Sequence, residues 1–260
     1  MARELVSNRR AVLGLMAGGA AWVAGLRSGF AGERRITRLI EAARDLPLIS
    51  QRIAFISAAL RGRSYIAHTL IGGPCRLEEF VVRDDGFDCV TYVETVLAAA
   101  MARSPGDFDS ELRKIRYYDG DISWRARNNY FFEWGEHNIA NGTCRPIVMP
   151  GAVEIDKTVY WHKALGRRHF AMTVIPRAAL LAHRHMLRNG DIIGFVTHRP
   201  NLDYFHVGFV MFGRRGELLL RNAARSYRRV LDENMRRFLA VNRVRYVTLL
   251  RPQAPGAMMV

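Results

Sequence analysis

The sequence predicts an α+β fold, in which helices come first and strands later. Three observations carry this. Between residues 34 and 115 apolar residues recur at helical spacing. From Ala152 onward the pattern changes to short β-rich runs. No βαβ alternation appears that would build a parallel sheet.

Taken in order, Ile36, Leu39, Ile40 and Ala43 form one helical face, and Ile53, Ile56, Ala59 and Leu60 form a second. Arg61-Gly62-Arg63-Ser64 ends that pair, Ser64–Leu70 reads as extended, and Gly72-Gly73-Pro74 reads as a turn. A helix is expected over 89–102, ending near Arg103-Ser104-Pro105-Gly106, and another over Asp107–Ile115. An aromatic segment, Tyr117–Trp134, follows with Trp124, Tyr130, Phe131 and Phe132. Strands are expected at Val153–Ile155, Thr158–Tyr160, Asp191–Val196, Val207–Met211, Leu218–Leu220 and Val244–Leu250. No linker is polar or long enough to divide 32–260, so one domain is expected there.

The 260 residues have ordinary globular composition, 49% hydrophobic and 24% charged. The formal net charge is +15, almost all of it from arginine, since Lys114, Lys157 and Lys163 are the only lysines. A scattered basic excess suits work beside a polyanion such as anionic lipid or cell-wall polymer. No helix-turn-helix, zinc-finger or RNA-recognition pattern is present, which argues against specific nucleic-acid binding.

Residues 1–31 read as an export signal. Arg9-Arg10 precede an apolar run, rich in Ala and Gly, to about Leu26. Gly29-Phe30-Ala31 offers small residues for cleavage after Ala31. This is the twin-arginine pattern; an uncleaved membrane anchor is the alternative. Either places the protein outside the cytoplasm, in the periplasm or cell envelope. There, three cysteines can mean one bridge and one reactive thiol. Whether Cys75 and Cys144 pair stays open. No CxxC or HExxH spacing occurs, and no metal or other cofactor is assigned.

Cys89 is the candidate nucleophile. Asp88 is a good N-cap, and Val90, Val93 and Leu97 then repeat at helical spacing. The thiol therefore falls in the first helical turn, where free N–H groups and the helix dipole favour an anion. A lowered thiol pKa is expected there. A buried, inert cysteine is the plainer alternative. His206 opens the apolar strand His206–Val210, and Asn222 follows the strand Leu218–Arg221. If the two strands are antiparallel neighbours, Asn222 can accept from the imidazole and fix its tautomer, as in Cys-His-Asn enzymes.

With these segments in place, the chain resembles the N-acetylmuramoyl-L-alanine amidase-like family, a domain-of-unknown-function family in the NlpC clan of papain-like cysteine hydrolases. The resemblance rests on Tyr65–Leu70, Phe87-Asp88-Cys89-Val90-Thr91-Tyr92-Val93-Glu94-Thr95, and Arg127–Phe131 with Glu133-Trp134. Leu187–Ile193, Leu202-Asp203 and His206–Phe209 complete it. It covers about residues 45 to 230.

The resemblance implies an antiparallel sheet with the Cys89 helix packed against it. It implies Cys89 as nucleophile, His206 as general base and Asn222 as the residue orienting His206. Relatives tend to carry histidine at the position of Asn222, and also where this chain has Asn129. Tyr65, Asp88, Arg127 and Trp134 are the candidate substrate contacts. Tyr65 matches a cleft tyrosine of the clan, or is a core aromatic. Arg127, with Arg125, would hold a stem carboxylate, or belongs to a solvated basic face. The implied substrate and partner is peptidoglycan or its stem peptides, cut at the N-acetylmuramoyl–L-alanine amide or at a γ-D-glutamyl bond. A lipid acyltransferase and a non-catalytic envelope-binding protein are the rival readings of the same fold.

Overall fold

The computed structural model describes residues 35–160 and 162–254. The expected export signal at 1–31 lies outside them. Helices α1 (Arg35–Ala43) and α2 (Ile49–Ala59) bury Ile36, Ile40, Ala43, Ile53 and Ile56. Of the residues expected on the second buried face, Ala59 is exposed, while Leu60, just beyond the helix end, is buried as expected. The stretch expected to be extended forms only the two-residue strand β1 (Ser64–Tyr65), and His68 turns the chain with φ 55°. A hairpin of β2 (Ile71–Gly73) and β3 (Arg76–Glu79) stands apart from the main sheet. Strand β4 (Gly86–Phe87) then leads into α3 (Cys89–Met101).

Helix α3 is buried from Thr91 to Met101. Such a helix must be apolar nearly all round, and it is: Tyr92, Val93, Val96, Leu97, Ala98, Ala99 and Ala100 are all solvent-inaccessible. It packs against α2, the next helix α4 (Phe108–Arg116) and the main sheet. The charged residue within it, Glu94, is matched by Arg116 of α4, with Nε to Oε2 at 2.8 Å and both side chains at most 3% exposed.

The aromatic segment contains a helix that its periodicity did not announce, α5 (Phe131–Ala140). Tyr130 occupies its N-cap position without a side-chain cap bond. A carboxylate from elsewhere serves instead: Asp203 Oδ2 accepts from the Phe132 N–H at 2.7 Å. A local reading has no access to such a cap.

The strand region is fuller than expected. After β5 (Cys144–Pro146), the two short expected runs merge into β6 (Val153–Val159), which pairs with β7 (Arg168–Pro176). Helix α6 (Arg177–Ala182) follows. Then come β8 (Ile192–Val196), β9 (Tyr204–Phe212), β10 (Leu218–Ala224), β11 (Arg229–Asn234), α7 (Met235–Val241) and β12 (Tyr246–Pro252). Strand β11 was missed because Arg229-Val230-Leu231-Asp232-Glu233-Asn234 is largely charged, and its partner strand, not its composition, makes it a strand.

The main sheet runs β4-β1-β11-β10-β9-β8-β12-β7-β6, with β5 beside β12. Every pairing in it is antiparallel except β1 with β4. One core cluster gathers α1 to α5 with residues such as Val207, Phe209 and Met211. A second gathers Phe195, Val210, Leu220, Phe238 and Val247. The alternation along β9 thus supplies both clusters from one strand.

Candidate active site

Cys89 is the first residue of α3, and Asp88 is its N-cap. The Asp88 Oδ1 atom accepts from the Thr91 N–H at 2.8 Å and from the Thr91 hydroxyl at 2.9 Å. The Thr91 Oγ1 atom in turn accepts from the Asp88 N–H at 3.0 Å. This reciprocal cap holds the first turn rigid. Cys89 is half-buried, and the backbone N–H groups of Val207, Cys89 and Val90 favour its charged form. Val207 is the neighbour of His206, so the start of β9 lies against the thiol.

His206 and Asn222 come together as the antiparallel strands require, with His206 Nε2 and Asn222 Oδ1 at 2.8 Å. Asn222 is fully buried. Its amide orientation follows from its other end: Nδ2 donates to Glu233 Oε1 at 3.1 Å and to the Leu220 carbonyl at 3.4 Å. Oδ1 therefore faces the imidazole, and a neutral His206 must carry its proton on Nε2. Nδ1 keeps the free lone pair. Gly208 lies against β10 at Asn222. A Cβ there would lie 2.8 Å from the Arg221 carbonyl and 3.0 Å from the Asn222 Cβ, so the approach of these strands requires glycine.

The protonation state differs from the sequence expectation. Burial first, and the Asp88 carboxylate second, push the Cys89 thiol up to about 12, against the pull of the three N–H groups. The expected lowering fails because partial N–H charges compete with desolvation and a full negative charge next door. Burial lowers His206 to about 4, with the Asn222 bond opposing the shift. Phe195 and Phe238 supply that apolar setting, with ring centroids 6.3 and 5.6 Å from the imidazole. The resting pair is a neutral thiol and a neutral imidazole.

A cleft of about 470 Å³ opens at the start of α3: both chain neighbours of Cys89, Asp88 and Val90, line it, while Cys89 and His206 themselves do not. The Gly72–Pro74 turn, Trp124, Asn129 and Arg127 form other walls. Tyr65 is half-buried and lies across from Phe87 in the parallel β1–β4 pair. Burial raises its phenol, followed by the nearby Cys89 and Asp88.

Arg127 is neither a solvated face nor a free cation. Its Nη1 atom is 3.0 Å from Glu78 Oε1, and that carboxylate also accepts from the Tyr117 hydroxyl at 2.9 Å. Arg125 is exposed and does not line the cleft. Trp134 is 1% exposed, stacks on Phe131 at 4.9 Å, and lines the cleft from within the core. Its indole N–H has no hydrogen-bond partner among the described residues.

Glu78, which holds the cleft residue Arg127, is a partner that sequence reading missed. It lies in a charged hairpin, where nothing local separates it from Glu79. Glu94 carried a signal: a carboxylate inside the apolar run Tyr92–Leu97 needs a buried partner. Cys75 and Cys144 are both free, one exposed and one buried, so the question of a bridge is answered by two separate thiols.

Helices packed on a curled, mostly antiparallel sheet, with Cys89, His206 and Asn222 gathered at the junction, define a mixed α+β protein of the amidase-like class. The chain belongs to the AmiA-like family, described as N-acetylmuramoyl-L-alanine amidase-like, whose model matches residues 55–245. Among solved structures it is similar to a Legionella pneumophila str. Philadelphia 1 protein of the DUF1460 family model. That match has 25% identity and a TM-score of 0.73, over 85% of this chain and 94% of the other. It is also similar in fold to an N-acetylmuramoyl-L-alanine amidase from Bacteroides uniformis ATCC 8492. Here the identity is 24% and the TM-score 0.68, over 79% of this chain and 99% of that one. No curated protein matches the chain.

Proposed function

We propose that this protein is a cysteine-dependent amidase of papain-like NlpC type, acting on peptidoglycan stem peptides at the N-acetylmuramoyl–L-alanine amide. The observation that carries the reading is the 2.8 Å approach of His206 Nε2 to Asn222 Oδ1 beside a helix-start cysteine, which implies the Nε2–H tautomer. The tautomer leaves Nδ1 to act as base.

Because both groups rest neutral, attack and proton transfer go together. As the Cys89 sulfur bonds to the amide carbonyl carbon, its proton passes to His206 Nδ1. Asn222 Oδ1 stabilises the imidazolium by accepting from Nε2–H. The Cys89 backbone N–H helps to hold the oxyanion. His206 then protonates the leaving amine as the C–N bond breaks. Water, deprotonated by His206, releases the acyl group and restores the thiol.

Tyr65 and Asp88 are the contacts proposed nearest the reacting carbonyl. Trp134 and Arg127 are proposed deeper in the cleft, where the Glu78 pair leaves Arg127 to act through hydrogen bonding more than through net charge. The basic surface suits the carboxylates of the polymer and peripheral contact with an anionic envelope. Residues 1–31 are proposed to export the protein to the periplasm or envelope.

The test is digestion of purified peptidoglycan fragments, with mass spectrometry of the products. Release of intact stem peptides from muramic acid by the wild type, and none by Cys89→Ala, is the expected result. Equal turnover by Cys89→Ala would overturn the reading, and products cut within the stem would move it to a γ-D-glutamyl endopeptidase.

A further inference from the structure

We propose that Glu233 is a positioning residue for His206, acting through the Asn222 side chain; the proposal rests on the catalytic reading above. An amide has two ends of nearly equal size, and Asn222 is fully buried, so its protein neighbours must decide between them. Flipped, it would offer Nδ2–H to His206. The imidazole would then have to accept at Nε2 and carry its proton on Nδ1, the nitrogen that must take the thiol proton.

Glu233 breaks this symmetry. Its carboxylate Oε1 is 3.1 Å from Asn222 Nδ2 and can only accept. A flip would set amide oxygen against carboxylate oxygen. The remaining partner of Nδ2, the Leu220 carbonyl at 3.4 Å, is the weaker hold. Strand register delivers Glu233 to this place: it pairs with Leu220 while Asn222 pairs with Leu231, so the two side chains are diagonal neighbours on one face.

The adjacent charges do not compete. Arg221 and Asp232 alternate to the other face, where they make a two-pronged pair at 2.6 and 2.8 Å. Arg221 also reaches Ser57 Oγ of α2 at 3.0 Å. Glu233 is therefore not held in place as a partner for Arg221. Its side chain is used to orient an amide.

Long-range ¹⁵N–¹H NMR of the histidine side chains at pH 7 tests this, with His206→Gln assigning the His206 signal. The wild type is expected to show the Nε2–H form alone, whereas Glu233→Gln, whose amide can donate as well as accept, is expected to admit the Nδ1–H form. Glu233→Ala is expected to show a mixture with the Nδ1–H form. It should also lose about tenfold in kcat with KM unchanged. Glu233→Leu keeps the apolar volume and serves as the readout if the alanine variant does not fold. A single Nε2–H form in both Glu233→Ala and Glu233→Leu overturns the proposal. The NMR readout needs no turnover, so an active Cys89→Ala would sink the catalytic reading without deciding the role of Glu233.

Discussion

At the scale of single residues, Cys89 is governed by opposing forces of unequal size. Helix-end N–H groups favour a thiolate, while burial and the Asp88 carboxylate oppose it and prevail. Asp88→Asn keeps a good cap but removes the charge. The Cys89 pKa should then fall, and alkylation by iodoacetamide at pH 8 should rise several-fold with stability changed by less than about 0.5 kcal/mol. Exposed Cys75 provides an internal reference for the rate. No rise would mean that desolvation alone sets the thiol. Cys89, His206 and Asn222 were all legible as candidates, because each carries a chemically apt side chain at an expected element end, although β9 starts at Tyr204 and β10 runs on to Ala224, so that His206 and Asn222 stand inside their strands. Their charge state was not, since it depends on Phe195, Phe238 and the depth of burial.

At the scale of elements, the Glu94–Arg116 pair locks α3 to α4 inside the core. Arg116 also donates to the Val81 carbonyl at 2.7 Å, tying the segment before α3 to the same point. Removing one partner of a buried pair leaves an unsatisfied charge. Arg116→Leu should therefore cost about 3–5 kcal/mol in urea unfolding. Glu94→Leu combined with Arg116→Leu should recover a large part of that loss. A double variant no more stable than Arg116→Leu would show that packing, not the orphaned charge, causes the loss. Helices α3 and α4 were readable to within a residue, and α1 and α2 as two apolar faces between residues 34 and 61. Helix α5 was not, because its cap comes from Asp203, remote in the chain.

At the scale of the whole molecule, His206 links folding to pH. Its folded pKa is depressed to about 4, below the ordinary value of 6.5, so its contribution to stability is full above 6.5 and lost as pH falls towards 4. The shift corresponds to at most about 3 kcal/mol, from 1.36 kcal/mol per unit. Thermal melts from pH 7 to 4 should show a steeper loss for the wild type than for His206→Gln, and parallel curves would sink this assignment. The buried carboxylates of Glu94 and Asp203 shift the opposite way, so the difference between the two proteins isolates the histidine.

The sequence by itself determined the helix-then-strand order, the capped start of α3 at Asp88-Cys89, and the strand positions of His206 and Asn222. These are local matters of apolar period, cap chemistry and strand propensity. Tertiary structure decided the rest. It paired charged β11 with β10, which brought Glu233 to Asn222, and it buried Arg127 against Glu78. It also left the thiol and imidazole neutral. Each of these depends on which groups share a face or lose their water, and such neighbours are far apart along the chain.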